Sequence, residues 1–176
     1  MRDQVAEMTA KAVATYDLQG EAYDAFCEIV KRDLITKPEA AIEAASPYLG
    51  SGEPRERAAA ASIVGRIGEF NRGATAAACA GLLFDALLTE TDRVVVDCLA
   101  AGLGLIWAST DNDGDRLELA RHPNANVRCA AAHSLALYVT DDPRDAAARA
   151  VLEQLLDDPD EGVRGWAEFG LDTLTL

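Results

Sequence analysis

Apolar residues recur at helical spacing in four segments of the chain, and each segment contains a similar short block. The block starts with an apolar residue, usually followed by Arg, and continues with small or apolar residues four and eight positions after its start. The clearest copies start at Val127 and Val163. Positions zero, four, eight and eleven share one face of a helix, so the pattern predicts helices that bury this face. The predicted buried stripes are Val95/Leu99/Leu103/Ile106, Val127/Ala131/Leu135/Tyr138 and Val163/Ala167/Leu171/Leu174.

The block repeats along the chain at a nearly constant period. Its second positions, residues 57, 96, 128 and 164, are separated by 39, 32 and 36 residues, which fits a helix-turn-helix unit in tandem. A further helical stretch precedes each copy, at residues 38–48, 73–89, 114–121 and 143–157. Residues 2–17 and 20–35 form one more predicted helix pair, which lacks the block.

These elements predict an all-α protein, an α-α superhelix of about five antiparallel helix pairs. The prediction places all 176 residues in a single domain. In it, residues 1–36 form an N-terminal capping helix pair and residues 37–176 form four units. The cap is expected because the first unit of a solenoid must cover one end of a continuous apolar core.

Two copies also share the residue that precedes the block. Pro123 and Pro159 each stand five residues before the Arg of their block, at Arg128 and Arg164. This arrangement resembles the HEAT-repeat family, in particular its bacterial PBS-lyase-like repeats, over residues 38–176. The resemblance implies an α-solenoid in which the Arg of each block reaches an acidic or amide group in a turn of a neighbouring unit. That structural role between repeats would fall to Arg57, Arg128 and Arg164, while Val96 replaces the Arg in the second copy.

The charge of the chain limits its partners. Thirty acidic residues against sixteen Lys and Arg give a net charge of −14, which repels phosphate backbones and anionic lipid. Residues 111–176 hold 14 of the acids and 6 Arg. We therefore expect neither nucleic acid nor a membrane as a partner. The N-terminus carries acids where a signal peptide would be basic and apolar, so we expect a cytoplasmic protein. The family resemblance and the Ala- and Arg-rich, Lys-poor composition point to a bacterial source.

Neither the acids nor the cysteines form a recognisable metal site. The run Asp111-Asn112-Asp113-Gly114-Asp115 has acids like those of a calcium loop. However, no register places both the turn glycine and the bidentate Glu correctly, so a solvated acidic turn is expected. The four cysteines lack a Cys-x-x-Cys pair or a His at ligand spacing, and we predict that they are buried hydrophobic residues. They are Cys27, Cys79, Cys98 and Cys129.

Catalysis lacks a candidate centre as well. His122 and His133 have no Ser, Cys or carboxylate at a spacing that forms a dyad on a helix. Trp107 and Trp166 could stack on a ligand, as aromatic residues do in HEAT-like DNA glycosylases and bilin lyases, but we expect them in the core. We predict no metal, no cofactor and no enzyme activity. A bilin lyase-like ligand handler and a divergent HEAT-like DNA glycosylase remain as alternatives, resting on analogy of fold.

The second helices of the units are expected to form a concave wall, with positions off the buried stripe facing a partner. Acids mixed with exposed Leu and Phe suit a protein surface with basic and apolar features. We therefore predict a non-catalytic scaffold or adaptor that binds another protein, as a monomer or weak homo-oligomer. A sharper form of this hypothesis is an immunity-type inhibitor of a basic effector. The predicted partner-binding residues are Ser62, Arg66, Glu69, Asp97, Leu105, His133, Leu137, Phe169 and Asp172.

Overall fold

The structure, a computed structural model, describes residues 2–16, 26–108, 117–139 and 145–173. Within these ranges the chain folds into helices joined by short turns. A π-helical segment at Val30–Leu34 and a 3-10 helix at Ser46–Gly50 accompany the α-helices. The α-helices are α1 (Arg2–Thr15), α2 (Pro38–Ala45), α3 (Pro54–Phe70), α4 (Ala74–Leu87), α5 (Arg93–Ala108), α6 (Ala125–Tyr138), α7 (Ala146–Leu155) and α8 (Glu161–Thr173).

The four helices that carry the repeated block lie side by side. The three most extensive contacts between helices are those of α3 with α5, of α5 with α6 and of α6 with α8. We call these four helices the inner helices. α4 packs against α3 and α5, and α7 against α8 and α6, as expected for the first helices of the units. In the third unit this position holds a single described turn, residues 117–119. The prediction of an all-α solenoid of stacked helix pairs is confirmed.

The predicted stripes form the core between these helices. Val95, Leu99, Leu103 and Ile106 are each at most 2 % exposed, and the described stripe residues of α6 are equally buried. The side chain of Tyr138 and all of Leu174 fall outside the described residues. Small residues let the backbones come close together: a Cβ atom on Gly65 of α3 would lie 2.5 Å from the Cα of Gly102 in α5.

Side-chain caps begin several inner helices where the sequence predicts turns. Asn124 Oδ1 accepts a hydrogen bond from the backbone N–H of Asn126 (2.8 Å) at the start of α6. Asp160 Oδ1 accepts from the N–H groups of Gly162 (2.9 Å) and Val163 (3.1 Å) at the start of α8. These carboxamide and carboxylate oxygens satisfy N–H groups that have no partner within the helix.

Two predicted helices are interrupted. The stretch 38–48 divides into α2 and the 3-10 helix at Ser46–Gly50, since Pro47 cannot donate an amide hydrogen bond and Ser46 Oγ instead donates to Ile42 O (2.6 Å). The described part of 20–35 starts at residue 26 and contains the π-helical segment Val30–Leu34. The acidic run 111–115 lies outside the described residues.

The N-terminal helix is attached to the first unit through Tyr16. This side chain is 2 % exposed, accepts a hydrogen bond from Ser62 Oγ (3.1 Å) and lies 3.3 Å from Cys98 Sγ. Arg55 donates to the carbonyls of Tyr16 (2.7 Å) and Ala14 (3.3 Å). α1 also packs against α2 and α3. The role of residues 1–36 as a cap stays a prediction.

Candidate functional site

Two arginines of the repeated block bind carboxylates in the following unit. Arg57 donates to both carboxylate oxygens of Glu90 (2.7 and 3.0 Å) and to Ser51 O (2.9 Å). Arg128 makes the equivalent contacts to Asp158 (2.7 and 2.9 Å) and to His122 O (2.9 Å). The carboxylate side chains are only 7 % and 6 % exposed. Hydrogen bonds from the guanidinium groups hold the pKa of both acids below its usual value.

The other two units depart from this pattern in ways that the sequence explains. Val96 cannot bind a carboxylate. At this junction Asn126 Nδ2 donates to Leu87 O (3.1 Å) and Glu90 O (2.8 Å) of the preceding unit. Arg164 donates to carbonyls of its own turn, Asp158 O (2.7 Å) and Pro159 O (3.0 Å). Among the described residues, Arg57 and Arg128 therefore contact carboxylates of the following unit, whereas the contacts of Arg164 lie within its own turn. The structural role between repeats stays a prediction for all three arginines.

On one side of the inner helices, residues of the second and fourth units meet across the third. Trp166 Nε1 donates to Asp97 Oδ1 (3.4 Å). Arg93 Nη1 lies 3.3 Å from Asp160 Oδ1, and its Nη2 lies 3.1 Å from Cys129 Sγ. Units that are not neighbours in sequence can touch in this way only on the inside of a curved stack. This side is therefore the concave one, and we call its exposed residues the inner wall.

His133 does not belong to the exposed surface. Its side chain is 5 % exposed and stacks edge-on against Trp166, with 4.1 Å between ring centroids. Burial lowers the pKa of His133 to about 4, so the imidazole is neutral at pH 7. Its Nδ1 and the Oγ of Ser134 have no hydrogen-bond partner among the described residues. The expectation that His133 faces a partner or solvent is wrong for the free protein, because the ring of Trp166 covers it.

The other predicted binding residues divide between the two ends of the stack. Ser62, Arg66, Glu69 and Leu105 are half-buried. The Ser62 hydroxyl binds Tyr16, and Arg66 pairs with Glu69 (2.9 Å). Toward the C-terminal end, Leu137 and Phe169 are each 47 % exposed. Phe169 lies edge-on to Trp166, with 5.7 Å between ring centroids.

Around Trp166 the structure brings together Asp97, His133 and Phe169, which are separate in the sequence. Asp172 is exposed on the same helix as Phe169. We define the Trp166 cluster as these residues that contact the indole ring: Asp97, His133 and Phe169.

The sequence analysis did not predict three residues of this region: Trp166 as an organising residue, Arg93 and Glu168. One signal was present in the sequence. Trp166 occupies the third position after the start of its block, where the other copies have small residues. A large ring at a position that is small elsewhere cannot fit between adjacent inner helices, so it must extend over a neighbour. The small equivalents are Ala59, Cys98 and Ala130.

A cleft of about 770 Å³ adjoins the Trp166 cluster at the start of α8. Two glycines and charged side chains of both signs line it. The complete lining is Arg93, Asp160, Glu161, Gly162, Arg164, Gly165 and Glu168.

The described residues offer neither a group of metal ligands nor an ionised Cys129 thiol on this surface. Among them, no three His, Cys, Asp or Glu side chains group as metal ligands. Burial raises the pKa of Cys129 to about 12, so its thiol is protonated at neutral pH. None of the described helices combines the length and apolar character needed to cross a bilayer. The geometry can provide apolar contact area, carboxylates and a shaped cleft, which are the elements of a binding surface.

Comparison with known proteins identifies the family. No curated protein matches the chain. The family model for HEAT repeats matches residues 82–172, which span the second helix pair to the last and include the Trp166 cluster. This match covers more than half of the chain, and the arginine contacts between units and the stacked inner helices agree with it. The chain therefore belongs to the HEAT-repeat family.

Proposed function

We propose that this HEAT-repeat protein is a non-catalytic scaffold or adaptor that binds another protein through the C-terminal part of its inner wall. The observation that carries the proposal is Phe169, an aromatic side chain held half-exposed against Trp166. Large aromatic side chains held rigidly at a surface commonly dominate protein–protein binding energy.

The charges beside Phe169 favour a partner with a basic surface. Glu168 and Asp172 flank it on α8 and are exposed, and Asp97 lies on the other side of Trp166 with its side chain 41 % exposed. Residues 145–173 contain eight acids and two arginines. Such a field speeds the association with a cationic protein and repels nucleic acid. Leu137 on α6 is a further exposed apolar side chain.

The sharper form of the proposal is an immunity-type inhibitor in the bacterial cytoplasm. A basic effector, such as a nuclease, has a cationic active site that binds phosphate. Carboxylates placed over that site would neutralise it and exclude the phosphate backbone of the substrate. The inner wall offers the acids and the aromatic anchor for this role. Ser62, Arg66 and Glu69 are half-buried on α3, away from this part of the wall.

Co-expression with the protein encoded by the adjacent gene tests the proposal. We expect the two proteins to co-purify, and Phe169→Ala to weaken the complex at least tenfold. Phe70→Ala is the matched control, because Phe70 is 55 % exposed at the end of α3. Glu168→Lys should weaken the complex without making its affinity depend more steeply on salt concentration. Glu153→Lys on α7 should have little effect on the affinity. The inhibitor proposal fails if the two proteins do not co-purify and if co-expression does not relieve a growth arrest caused by the neighbouring protein.

The same protein preparation tests the two alternatives from another class. A bilin lyase-like handler would become coloured when co-expressed with the pigment. A HEAT-like glycosylase would bind duplex DNA at moderate salt, which the net charge of −14 opposes. Size-exclusion chromatography over a range of concentrations tests the expectation of a monomer or weak homo-oligomer.

A further inference from the structure

Side chains join the second and fourth units across the inner wall. Arg93 in the first turn of α5 reaches Asp160 at the start of α8 (3.3 Å), and Asp97 accepts the indole N–H of Trp166 (3.4 Å). Both distances are at the long end for hydrogen bonds. Among the described helices, α5 and α8 do not pack extensively against each other, and each packs against α6, which lies between them. We call Arg93, Asp97, Asp160 and Trp166 the clasp.

Gly162 makes room for the arginine of the clasp. A Cβ atom at residue 162 would overlap the guanidinium of Arg93, so this group lies directly over the backbone of α8. Gly162 is the second residue of the helix and does not have a positive φ. Glycine is the least favourable residue in a helix apart from proline. The close approach of Arg93 is therefore the reason that the structure gives for a glycine at this position.

The polar contacts of the clasp are weak compared with the core beneath them. The side chains of Arg93 and Asp160 are 42 % and 29 % exposed. Ion pairs with such exposure contribute little to stability and are screened by salt. Leu99 of α5, Leu135 of α6 and Val163 of α8 belong to the common apolar core, which lies apart from these contacts. The clasp can therefore break while the helices stay packed.

The clasp covers a polar atom that lacks a partner. His133 lies against the ring of Trp166 and is 5 % exposed, and its Nδ1 has no hydrogen-bond partner among the described residues. A buried polar atom of this kind has lost its hydrogen bonds to water and gained none in exchange, which is unfavourable. Movement of Trp166 would let water reach the imidazole. The burial of His133 therefore opposes the arrangement that the clasp maintains.

We propose that this clasp opens and closes, so that the inner wall has two curvatures. In the closed form, which the structure shows, Trp166 covers His133. In the open form, α5 and α8 move apart about α6, Arg93 leaves α8, and His133 becomes accessible. Phe169 stands against Trp166, so opening also alters the surface that is proposed to bind a partner. This last consequence rests on the proposed function, whereas the clasp itself is a property of the chain alone.

Chemical modification of the two histidines measures how often the clasp opens. Diethyl pyrocarbonate acylates an accessible, neutral imidazole, and mass spectrometry of the peptides gives separate rates for His133 and His122. His122 is half-buried in a turn outside the clasp and serves as an internal reference. We expect His133 to react slowly, at a rate that changes little with low concentrations of urea, because opening exposes little surface. Trp166→Ala should bring the rate of His133 close to that of His122.

Gly162→Ala is the most specific variant. The added methyl group displaces the guanidinium of Arg93 without changing charge, while alanine favours the helix. We expect His133 to react about two- to fivefold faster, the factor that corresponds to an exposed ion pair, with Tm unchanged or raised. Added salt should speed the reaction in the wild type by screening Arg93 and Asp160, and less so in Gly162→Ala. Gly165→Ala on the same helix is the matched control, because no atom lies within 4 Å of its Cβ position, and it should leave the rate unchanged.

Two results would overturn the proposal. One is an equal rate of His133 modification in the wild type and Gly162→Ala. The other is a rate that rises with urea as steeply as global unfolding, because the imidazole would then be reached only by unfolding. If the rates behave as expected but no partner co-purifies, the clasp is right and the proposed function fails. If a partner co-purifies but the rates are equal, the proposed function stands and the clasp is wrong.

Discussion

The close crossing of α3 and α5 makes Gly65→Ala the most informative test of how the stack is held together. A Cβ atom at residue 65 would lie 2.5 Å from the Cα of Gly102. Around Gly102, the carbonyl of Ala61 and the side chain of Leu83 lie 3.2 and 3.0 Å from the corresponding Cβ position. Since the clashing atom belongs to the backbone, no rotamer change can relieve the contact, and the two helices must separate.

The size of the effect follows from two opposing terms. Alanine is favoured over glycine in a helix by about 1 kcal/mol. Carbon atoms prefer separations of about 3.5–4.0 Å, so the helices must move apart by roughly 1 Å, and such a gap forfeits a quarter to a half of the local dispersion energy. Overpacking in a core costs about 1–3 kcal/mol, and a backbone clash at the most extensive helix contact belongs at or above the upper end. The net expectation is a loss of about 2 kcal/mol.

Urea denaturation followed by circular dichroism measures this loss. At about 2–4 °C per kcal/mol, we also expect Tm to fall by about 4–8 °C. Gly81→Ala is the control, because this exposed glycine on α4 has no close neighbour and the substitution should add up to about 1 kcal/mol. If Gly65→Ala were as stable as the wild type, with an unchanged m-value, the argument that this crossing depends on a missing Cβ would be refuted.

Three further substitutions or labelling experiments probe the buried charges and thiols. Arg128→Met leaves the carboxylate of Asp158 unpaired and should cost about 2 kcal/mol at pH 7. Because Arg128 lowers the pKa of Asp158, the free energy of unfolding of the wild type should decrease as the pH falls below about 5. Urea unfolding should show a smaller decrease for Arg128→Met over the same pH range. His133 has a pKa of about 4 in the folded protein, below its unfolded value, so stability should fall by up to about 3 kcal/mol between pH 7 and 4. His133→Phe should remove this fall, and an unchanged pH profile would show that the imidazole is not buried. With a thiol reagent, Cys27 should react first and Cys129 only on unfolding, as mass spectrometry can establish.

The features that sequence reasoning predicted are those encoded within one or two adjacent units. The period of the apolar stripe depends only on helix geometry, and the stripe residues Val95 and Val127 are buried accordingly. The contacts of Arg57 and Arg128 follow from the repeat itself, because a fixed spacing carries each Arg to the turn of the next unit. The same logic explains why Arg164 makes no such contact in the described residues, since no acidic turn follows its unit there.

The features that escaped prediction depend on how several units curve together. The contact of Trp166 with Asp97 joins residues separated by 69 positions, and it exists only because small rotations between neighbouring units accumulate. Sequence periodicity assigns His133 to the face off the core stripe, which is correct for its own helix. It carries no information about a ring from the next unit that covers this face, so the burial of His133 could not be derived.

Because Trp166 covers His133, this residue is not part of the surface that the free protein offers to the proposed partner. A uniform concave wall would offer equivalent positions of every unit, as the sequence pattern suggests for Ser62, His133 and Phe169. In the structure, the first of these is tied to Tyr16 and the second is covered by Trp166. Phe169 is the most accessible of the three in the described residues, at 47 % exposed. Repetition thus places an equivalent side chain in each unit, but these side chains differ in accessibility, and the proposal of a binding surface on α8 depends on that difference.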